Sequence, residues 1–421
     1  MTVWRLKAKM DRRFRTGHPW VYSNELGASP KGLEPGAAVE LCDASGKYLA
    51  RGYGNPASLI AFRAMSRDPE EKEPLSLEGI TRRVNEATAL REGLGLSGVS
   101  HRLIFGEADR LPGLIVDRYA VRGAGGNAQI FVVQAHTAGM DRALPWVIEA
   151  LTVLAPRAGL LIRNDVGVRK LEGLDQASVR IVRDVSGVEL KAAKVVVAGA
   201  VGTSLEFNVD LHDGQKTGFF LDQAANVRHA VEIFRQLRAG DGSKTLRILD
   251  LCCYVGQWST QLARAFKNAG VDVEVVGVDA SEQALNFAAK NVTAQGARFQ
   301  AMRGDVLKDL GALKDRSFDL VISDPPAFIK GRKDIPTGTH AYLQLNTQVF
   351  RLVRDGGAVV CCSCSSLFEE GVFVETLAKA SRRNSRLTQW VARGGQAPDH
   401  PVLAEFPEGQ YLKAWFGMVR S

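Results

Sequence analysis

Arg247-Ile248-Leu249-Asp250-Leu251-Cys252-Cys253-Tyr254-Val255-Gly256, then a helical stretch, then Val275-Val276-Gly277-Val278-Asp279, is the segment that decides the fold of this chain. An apolar run ends in an acid and passes into a turn with one glycine. A second apolar run ends in a second acid. That order reads as strand, tight turn, helix and strand, the opening βαβ unit of a doubly wound α/β sheet.

The two acids point to a ligand. An acid closing the second strand stands where a nucleoside ribose binds, and the Asp279 carboxylate can accept from both ribose hydroxyls. Asp250 and the turn can hold a cationic amino-acid end near the helix N-terminus. A dinucleotide needs several glycines so that backbone reaches its pyrophosphate. The turn Cys252-Cys253-Tyr254-Val255-Gly256-Gln257 has one. S-adenosylmethionine carries ribose and adenine but no phosphate, so it tolerates this turn. An acid after a strand is common in α/β proteins, whereas the pair at this spacing is more specific. Cys252, Tyr254 and Gly256, then Ala280 and Ser281 after the second acid, extend the expected cofactor set. Asp305, after Gly304, is expected near the adenine amine.

The rest of the chain sets the context. A length of 421 residues suggests roughly three domains on a ~150-residue prior. No apolar run approaches the ~20 residues of a membrane-spanning helix. The stretch Met1-Thr2-Val3-Trp4-Arg5-Leu6-Lys7 lacks the apolar core of a signal peptide, so a cytoplasmic location is expected. Five of the six cysteines fall in two clusters, Cys252/Cys253 and Cys361/Cys362/Cys364. Neither has zinc-ligand spacing, and six in so long a chain make no disulfide framework. No metal is expected. The net charge of +8 permits nucleic-acid binding. Arg5, Lys7, Lys9, Arg12, Arg13 and Arg15 face only Asp11 within the first twenty residues, a cluster that reads equally as a solvated edge or a phosphate-binding one.

Residues 1–75 read as a small β-rich domain, with short apolar runs between Gly and Pro turns. Arg67–Pro74 is charged and proline-bounded, a linker, and a helix is predicted over Leu77–Gly93. Residues 76–190 read as an α+β domain. Its strands are predicted near Leu114–Val116, Ile130–Gln134 and Gly159–Arg163, with a helix over Met140–Leu154. Residues 191–421 hold β segments at Lys194–Val201 and Leu205–Val209. From Thr245 helices and strands then alternate to the C-terminus, as a parallel sheet requires.

Three further segments carry chemistry. Phe318–Ser323 is a strand running into Asp324-Pro325-Pro326-Ala327-Phe328, and the two prolines stiffen the turn that presents Asp324. A carboxylate at that sheet edge can hold the amine and ring nitrogen of a base; alone, it reads as a capping turn. Ala358-Val359-Val360-Cys361-Cys362-Ser363-Cys364-Ser365-Ser366 is another strand, with Cys362 and Cys364 on one side and Cys361 on the other. Free cysteine is usually a small buried hydrophobe, the reading given to Cys361 and Cys362. Cys364, last and among hydroxyls, reads as a reactive thiol. Finally, Gly214-Gln215-Lys216-Thr217-Gly218-Phe219-Phe220-Leu221-Asp222-Gln223 lacks P-loop spacing, and its adjacent aromatics are expected against adenine or a substrate base.

Together these segments resemble the bacterial large-subunit ribosomal RNA cytosine-5 methyltransferases, which have a PUA domain, a central EEHEE domain and a Rossmann-like class I methyltransferase domain. The resemblance covers nearly the whole chain. It rests on Gly17-His18-Pro19-Trp20-Val21-Tyr22-Ser23-Asn24, Gly106–Tyr119, Arg169-Lys170-Leu171-Glu172-Gly173-Leu174, Gly214–Gln223 and Gln396-Ala397-Pro398-Asp399-His400-Pro401. Gln257 and Ala224 depart from it, standing where the family usually has Gly and Arg. Ala327 and Pro326 leave no second cysteine at the Asp-Pro turn, as in this subfamily.

The resemblance implies S-adenosylmethionine as cofactor, with Phe219, Asp222 and Asp324 joining the residues above in holding it. It implies Cys364 as nucleophile on cytosine C6, and Asp324 on N3 and the amino group. Ribosomal RNA, as naked or early precursor RNA, would be met by Arg12, Arg13, Arg15, His18, Trp20 and Lys216, and a homodimer is compatible with it. Guanine-N7 or exocyclic-amine methylation, and a non-catalytic RNA-binding assembly factor, stay open. Retention of Asp250, Gly256, Asp279, Asp324 and Cys364 together argues against the last.

Overall fold

The computed structural model describes residues 1–123, 125–238 and 245–421. The chain divides into two compact units. One comprises Met1–Val196, Asp210–Gly218 and Pro398–Gly409, the other Val197–Val209, Phe219–Ala397 and Gln410–Ser421.

The first unit opens with β1 (Thr2–Arg5), α1 (Arg12–Arg15), β2 (Trp20–Val21), β3 (Ala38–Cys42), β4 (Tyr48–Gly54) and β5 (Phe62–Ser66). These form one sheet in the order β1-β3-β4-β5-β2, closed over Leu6, Phe14, Val39, Leu41 and Phe62. α2 follows at Leu77–Gly93, where the sequence predicts it. Ser76 caps it, its hydroxyl accepting from Gly79 N at 3.2 Å, which satisfies one of the N–H groups a helix start leaves open.

Next come β6 (His101–Phe105), β7 (Leu114–Gly123), β8 (Gly126–Ala135), α3 (Ala138–Arg142), α4 (Leu144–Leu154), β9 (Gly159–Ile162), β10 (Arg180–Arg183) and β11 (Ala193–Val197). The sheet order is β10-β9-β8-β7-β11, with β6 also on β7. The single helix expected over Met140–Leu154 is two. Pro145 sits in the first turn of α4, where its missing N–H costs nothing, whereas inside one continuous helix it would break the ladder.

The second unit contains β12 (Leu205–Val209), α5 (Ala224–Arg238), β13 (Thr245–Leu251), α6 (Gln257–Lys267), β14 (Asp272–Asp279), α7 (Glu282–Thr293), β15 (Arg298–Arg303) and β16 (Phe318–Ser323). It continues with α8 (Ile335–Leu352), β17 (Val353–Ser363), α9 (Glu370–Arg383), β18 (Leu387–Gly394) and β19 (Lys413–Arg420). The sheet order is β15-β14-β13-β16-β17-β19-β18.

Strands β13 to β17 pair in parallel. The expectation of a parallel sheet to the C-terminus fails at β19, which is antiparallel to both β17 and β18. No α-helix lies between β18 and β19, and a parallel return would need such a crossover.

Successive residues of β13 enter opposite cores. Leu246 and Ile248 pack with α5 and α6 residues such as Val231, Phe234, Leu262 and Phe266. Leu249 and Leu251 pack with α8 and α9 residues such as Leu345, Val349, Phe373 and Leu377. A strand covered on both faces buries apolar residues on each, which is why Ile248, Leu249 and Leu251 stand close together in β13. Among the described residues no helix is long and apolar enough to cross a membrane.

Candidate active site

The strand order reverses between β13 and β16, and at such a point the loops on either side diverge to leave a crevice at the strands' C-terminal ends. Asp250 lies one residue before the end of β13, and Asp279 ends β14. Asp324 follows β16 directly, and Cys364 follows β17. The parallel register, with Asp250 level with Gly277 and Ile322, places all four at one edge.

On the β13–β14 side the turn has three left-handed residues, Cys252 (φ 59), Tyr254 (φ 49) and Gly256 (φ 76), and only the last is glycine. Left-handed backbone costs roughly 1–2 kcal/mol at a non-glycine residue, and such strain clusters at ligand sites. At Gly256 a Cβ would meet Ala288 Cβ at 3.2 Å and Ser259 Oγ at 3.3 Å, so α7 packs close against the turn. Asp279 fixes the turn: Tyr254 N donates to its Oδ2 and Ser281 N to its Oδ1, both at 2.9 Å. Each oxygen keeps a second lone pair, enough for two vicinal hydroxyls. Ser281 also caps α7 through Ala284 N at 3.2 Å, and Ala280 joins it to Asp279.

Asp250 is fully buried. Ser259 N, in the first turn of α6, donates to its Oδ2 at 3.3 Å, while Oδ1 has no partner among the described residues. Burial pushes its carboxyl up to about 7, opposed by the Ser259 bonds and helped by the charges of Asp324 and Asp279. A buried acid with an idle oxygen is one an ammonium would complete. The donor set therefore fits a ligand with a cationic amino-acid end and a ribose. Asp305 lies one strand outward, after β15. Its Oδ1 accepts from Leu307 N at 2.9 Å and it pairs with Lys308 at 3.1 Å. Leu307, then Lys308, hold its carboxyl below the usual range.

Phe219 corrects the sequence reading. It is 1% exposed and packs on Phe207 at 5.1 Å in the core, leaving no surface for adenine. Phe220 instead stands edge-on to Tyr254 at 5.2 Å. Cys252 is desolvated by burial, which with the charge of Asp279 drives its thiol well up. Asp222 is buried and accepts from Tyr411 Oη at 2.5 Å.

On the β16–β17 side Asp324 is held rather than idle. Gln223 Nε2 donates to both its oxygens at 2.9 Å, and Trp258 Nε1 to Oδ2 at 3.0 Å. Gln223 is fixed in turn by Asn226 at 2.7 Å. Cys361 and Cys362 enter the two opposite cores and are fully buried, as the alternation requires. Cys364 is only half-buried, with Sγ 3.8 Å from Pro325 O.

Its neighbours Ser363 and Ser365 both meet Tyr342 Oη at 3.0 Å. Burial pushes Tyr342 up to about 12, so it stays a neutral anchor. Lys413, opposite Ser363 across the ladder, donates to Ser365 O at 2.8 Å and Phe368 O at 2.9 Å. Burial lowers its ammonium below the usual lysine value, while Cys364, then Glu370, push back.

Gln223, Trp258, Tyr342, Tyr411 and Lys413 are functional candidates that sequence reasoning missed. Only Gln223 had a signal, as the last residue of the Gly214–Gln223 segment.

The residues expected on RNA belong to the first unit, and one of them, His18, is corrected. His18 is buried, accepting from Trp20 N at 3.1 Å and facing Glu408 at 3.2 Å. Trp20 donates through Nε1 to Glu107 at 2.7 Å under the Arg63 guanidinium. The His18 side chain is packing, while Trp20 stays partly exposed. Arg13 reaches Glu25 at 3.1 Å, and Arg15 reaches Asp11 at 2.5 Å and Asp43 at 2.6 Å. Arg12 and Lys216 are exposed.

Comparison with known proteins identifies two domains. Residues 5–67 match the PUA-like domain family and residues 242–411 a methyltransferase domain family. The chain is 33% identical to Ribosomal RNA large subunit methyltransferase I of Erwinia tasmaniensis, covering 99% of each chain. It is 33% identical to the protein of that name in Photobacterium profundum, covering 97% of each. A solved structure described as a SAM-dependent methyltransferase from Streptococcus mutans has a TM-score of 0.75 at 16% identity, over 99% of this chain and 100% of that one. A methyltransferase structure complexed with SAH gives the same TM-score and coverage. At that identity the likeness is one of fold.

Proposed function

This chain belongs to the ribosomal RNA large subunit methyltransferase I family, and from that premise we propose that it forms 5-methylcytosine in large-subunit ribosomal RNA through a covalent Cys364–C6 adduct. It is an S-adenosylmethionine-dependent enzyme. Asp250 would take the cofactor's ammonium, Asp279 its ribose, and the Tyr254 and Gly256 turn would close on it. Ala280 and Ser281 would flank the ribose, with Asp305 toward the adenine. When bound, the cofactor supplies an electrophilic methyl group on sulfur.

The observation that carries the carbon-methylation reading is the placement of Cys364. It is a half-buried thiol one residue beyond β17, on the strand next to Asp324, while Cys361 and Cys362 are sealed in the core. C5 of cytosine is a poor nucleophile. Adding the Cys364 thiolate to C6 forms an S–C bond and moves the ring electrons toward C5, which then takes the methyl group. A general base takes the C5 proton, its electron pair re-forms the C5–C6 double bond, and the S–C6 bond breaks to return the Cys364 thiolate. Asp324, oriented by Gln223 and Trp258, accepts from the base's amine and offsets charge on the ring. The base must be unpaired or flipped to reach the crevice. The PUA-like domain supplies phosphate contacts that set register.

RNA carrying 5-fluorocytosine at the target tests this, because fluorine cannot leave as a proton. The enzyme should be trapped in a complex that survives denaturation, and Cys364→Ser should abolish trapping and turnover together. A Cys364→Ser enzyme that methylates near the wild-type rate would instead assign the methyl group to a nitrogen.

A further inference from the structure

A cysteine attacks as its thiolate, and an ordinary cysteine is mostly protonated near pH 7. The charged groups at this edge work against ionisation, since Asp324 is an acid and a second anion beside it is opposed. Among the described residues Lys413 is a cation placed to counter this. Lys413 starts β19 directly opposite Ser363, the residue before Cys364, and its ammonium is clamped on the carbonyl of Ser365, the residue after. A second carbonyl, Phe368 O, fixes it from the other side.

Lys413 is 9% exposed, and among the described residues no carboxylate lies within ion-pair distance of it. A buried ammonium held by neutral carbonyls alone is costly and calls for an anion. Glu370, at the start of α9, acts on Lys413 more weakly than Cys364 and is itself paired with Arg393 at 3.3 Å. Tyr342 on α8 is neutral, and Cys361 and Cys362 are buried thiols. Of the two groups that act on Lys413, Cys364 is the stronger, and it lies on the segment that the Lys413 ammonium itself holds.

We propose that Lys413 is the built-in counter-ion of Cys364, a positioning residue that holds the nucleophile as thiolate without touching the base. Its two carbonyl bonds fix the ammonium and, through Ser365, the loop that carries the thiol. The inference rests on Cys364 being the nucleophile.

Site-resolved alkylation with iodoacetamide across pH, read by mass spectrometry of the Cys364 peptide, tests it. At pH 7 Cys364 in Lys413→Met should react about tenfold more slowly than wild type, with the rate profile moved to higher pH. Lys413→Arg, which keeps the charge, should restore most of the rate; a merely structural lysine would not give this charge-dependent rescue. Calorimetric S-adenosylmethionine binding checks that each variant is folded.

Equal alkylation profiles in wild type and Lys413→Met overturn the proposal. If Lys413→Met does not fold, the reciprocal measurement decides. The Lys413 amine, followed by NMR after 13C-methylation, should titrate at lower pH in Cys364→Ala than in wild type, and an unchanged midpoint overturns the proposal. A Cys364→Ser enzyme that still methylates, with alkylation still governed by Lys413, would sink the carbon-methylation reading and leave the ion pair standing.

Discussion

The two units bury charge in opposite ways. In the first, Asp117 is sealed and saturated: Arg102 donates twice, at 2.5 and 2.9 Å, and the Thr217 hydroxyl adds a third bond. Asp109 likewise takes two bonds from Arg91, at 2.5 and 2.9 Å, and one from Phe105 N at 2.6 Å. In the second, Asp250 is as deeply buried yet has one donor at 3.3 Å and an idle oxygen, and Lys413 rests on carbonyls. A saturated buried pair holds a fold in register. An unsaturated one stores free energy that a ligand or a reacting group can release. Substitutions at the unsaturated charges of the second unit should therefore cost activity, and those at the saturated pairs of the first stability.

The largest break is expected at Cys364. Cys364→Ser should lower turnover by three decades or more, about 4 kcal/mol or above in the barrier, with little change in melting temperature. Cys361→Ser and Cys362→Ser should leave the chemistry in place and lose stability by about 1–3 kcal/mol, because a hydroxyl enters an apolar core. Methyl-transfer assays alongside urea melts distinguish the two classes.

Arg91→Ala is the mirror experiment in the first unit. It strands the buried Asp109 and should cost about 3–5 kcal/mol of stability in urea unfolding. Turnover of the folded fraction should stay near wild type. A large kcat loss without destabilisation would erase the contrast between the units.

Asp279→Ala removes charge-assisted bonds to the cofactor and should weaken S-adenosylmethionine binding by one to two decades, about 1.5–3 kcal/mol, in calorimetry. Binding as tight as wild type would refute the ribose assignment.

Asp250 gives a smaller, pH-dependent effect. Its folded value of about 7 lies above the ordinary aspartate value, so between about 4 and 7 the folded state keeps a proton that the unfolded state has lost. Apo-protein stability should therefore fall as pH rises through that window and level off above it. A cationic ligand needs the ionised acid, so affinity should drop by up to about tenfold per pH unit below 7. Asp250→Asn should flatten both profiles. A wild-type affinity that does not change between pH 6 and 8 would remove Asp250 from the cofactor site.

The smallest change is expected on RNA. Neutralising Arg12, Arg13 and Arg15 should weaken binding for all sequences alike and flatten its salt dependence. Since Arg13 and Arg15 are already tied to acids, most of the loss should appear with Arg12 alone. Unchanged affinity and salt slope would mark the cluster as a solvated face.

Much of this was legible in the sequence, for a physical reason. Strand and helix periodicity, the acids closing β13, β14 and β16, and the alternation that buries Cys361 and Cys362 but leaves Cys364 last are properties of neighbouring residues, and a chain displays them directly. Tertiary structure alone decided the rest. It sank Phe219 into the core and turned His18 into packing. It ran β19 antiparallel and brought three distant partners to the sheet edge. Gln223 meets Asp324 from 101 residues away, Tyr411 meets Asp222 from 189, and Lys413 reaches Ser365 from 48. No local pattern marks such partners, because a charge is placed by whichever strand the sheet sets beside it.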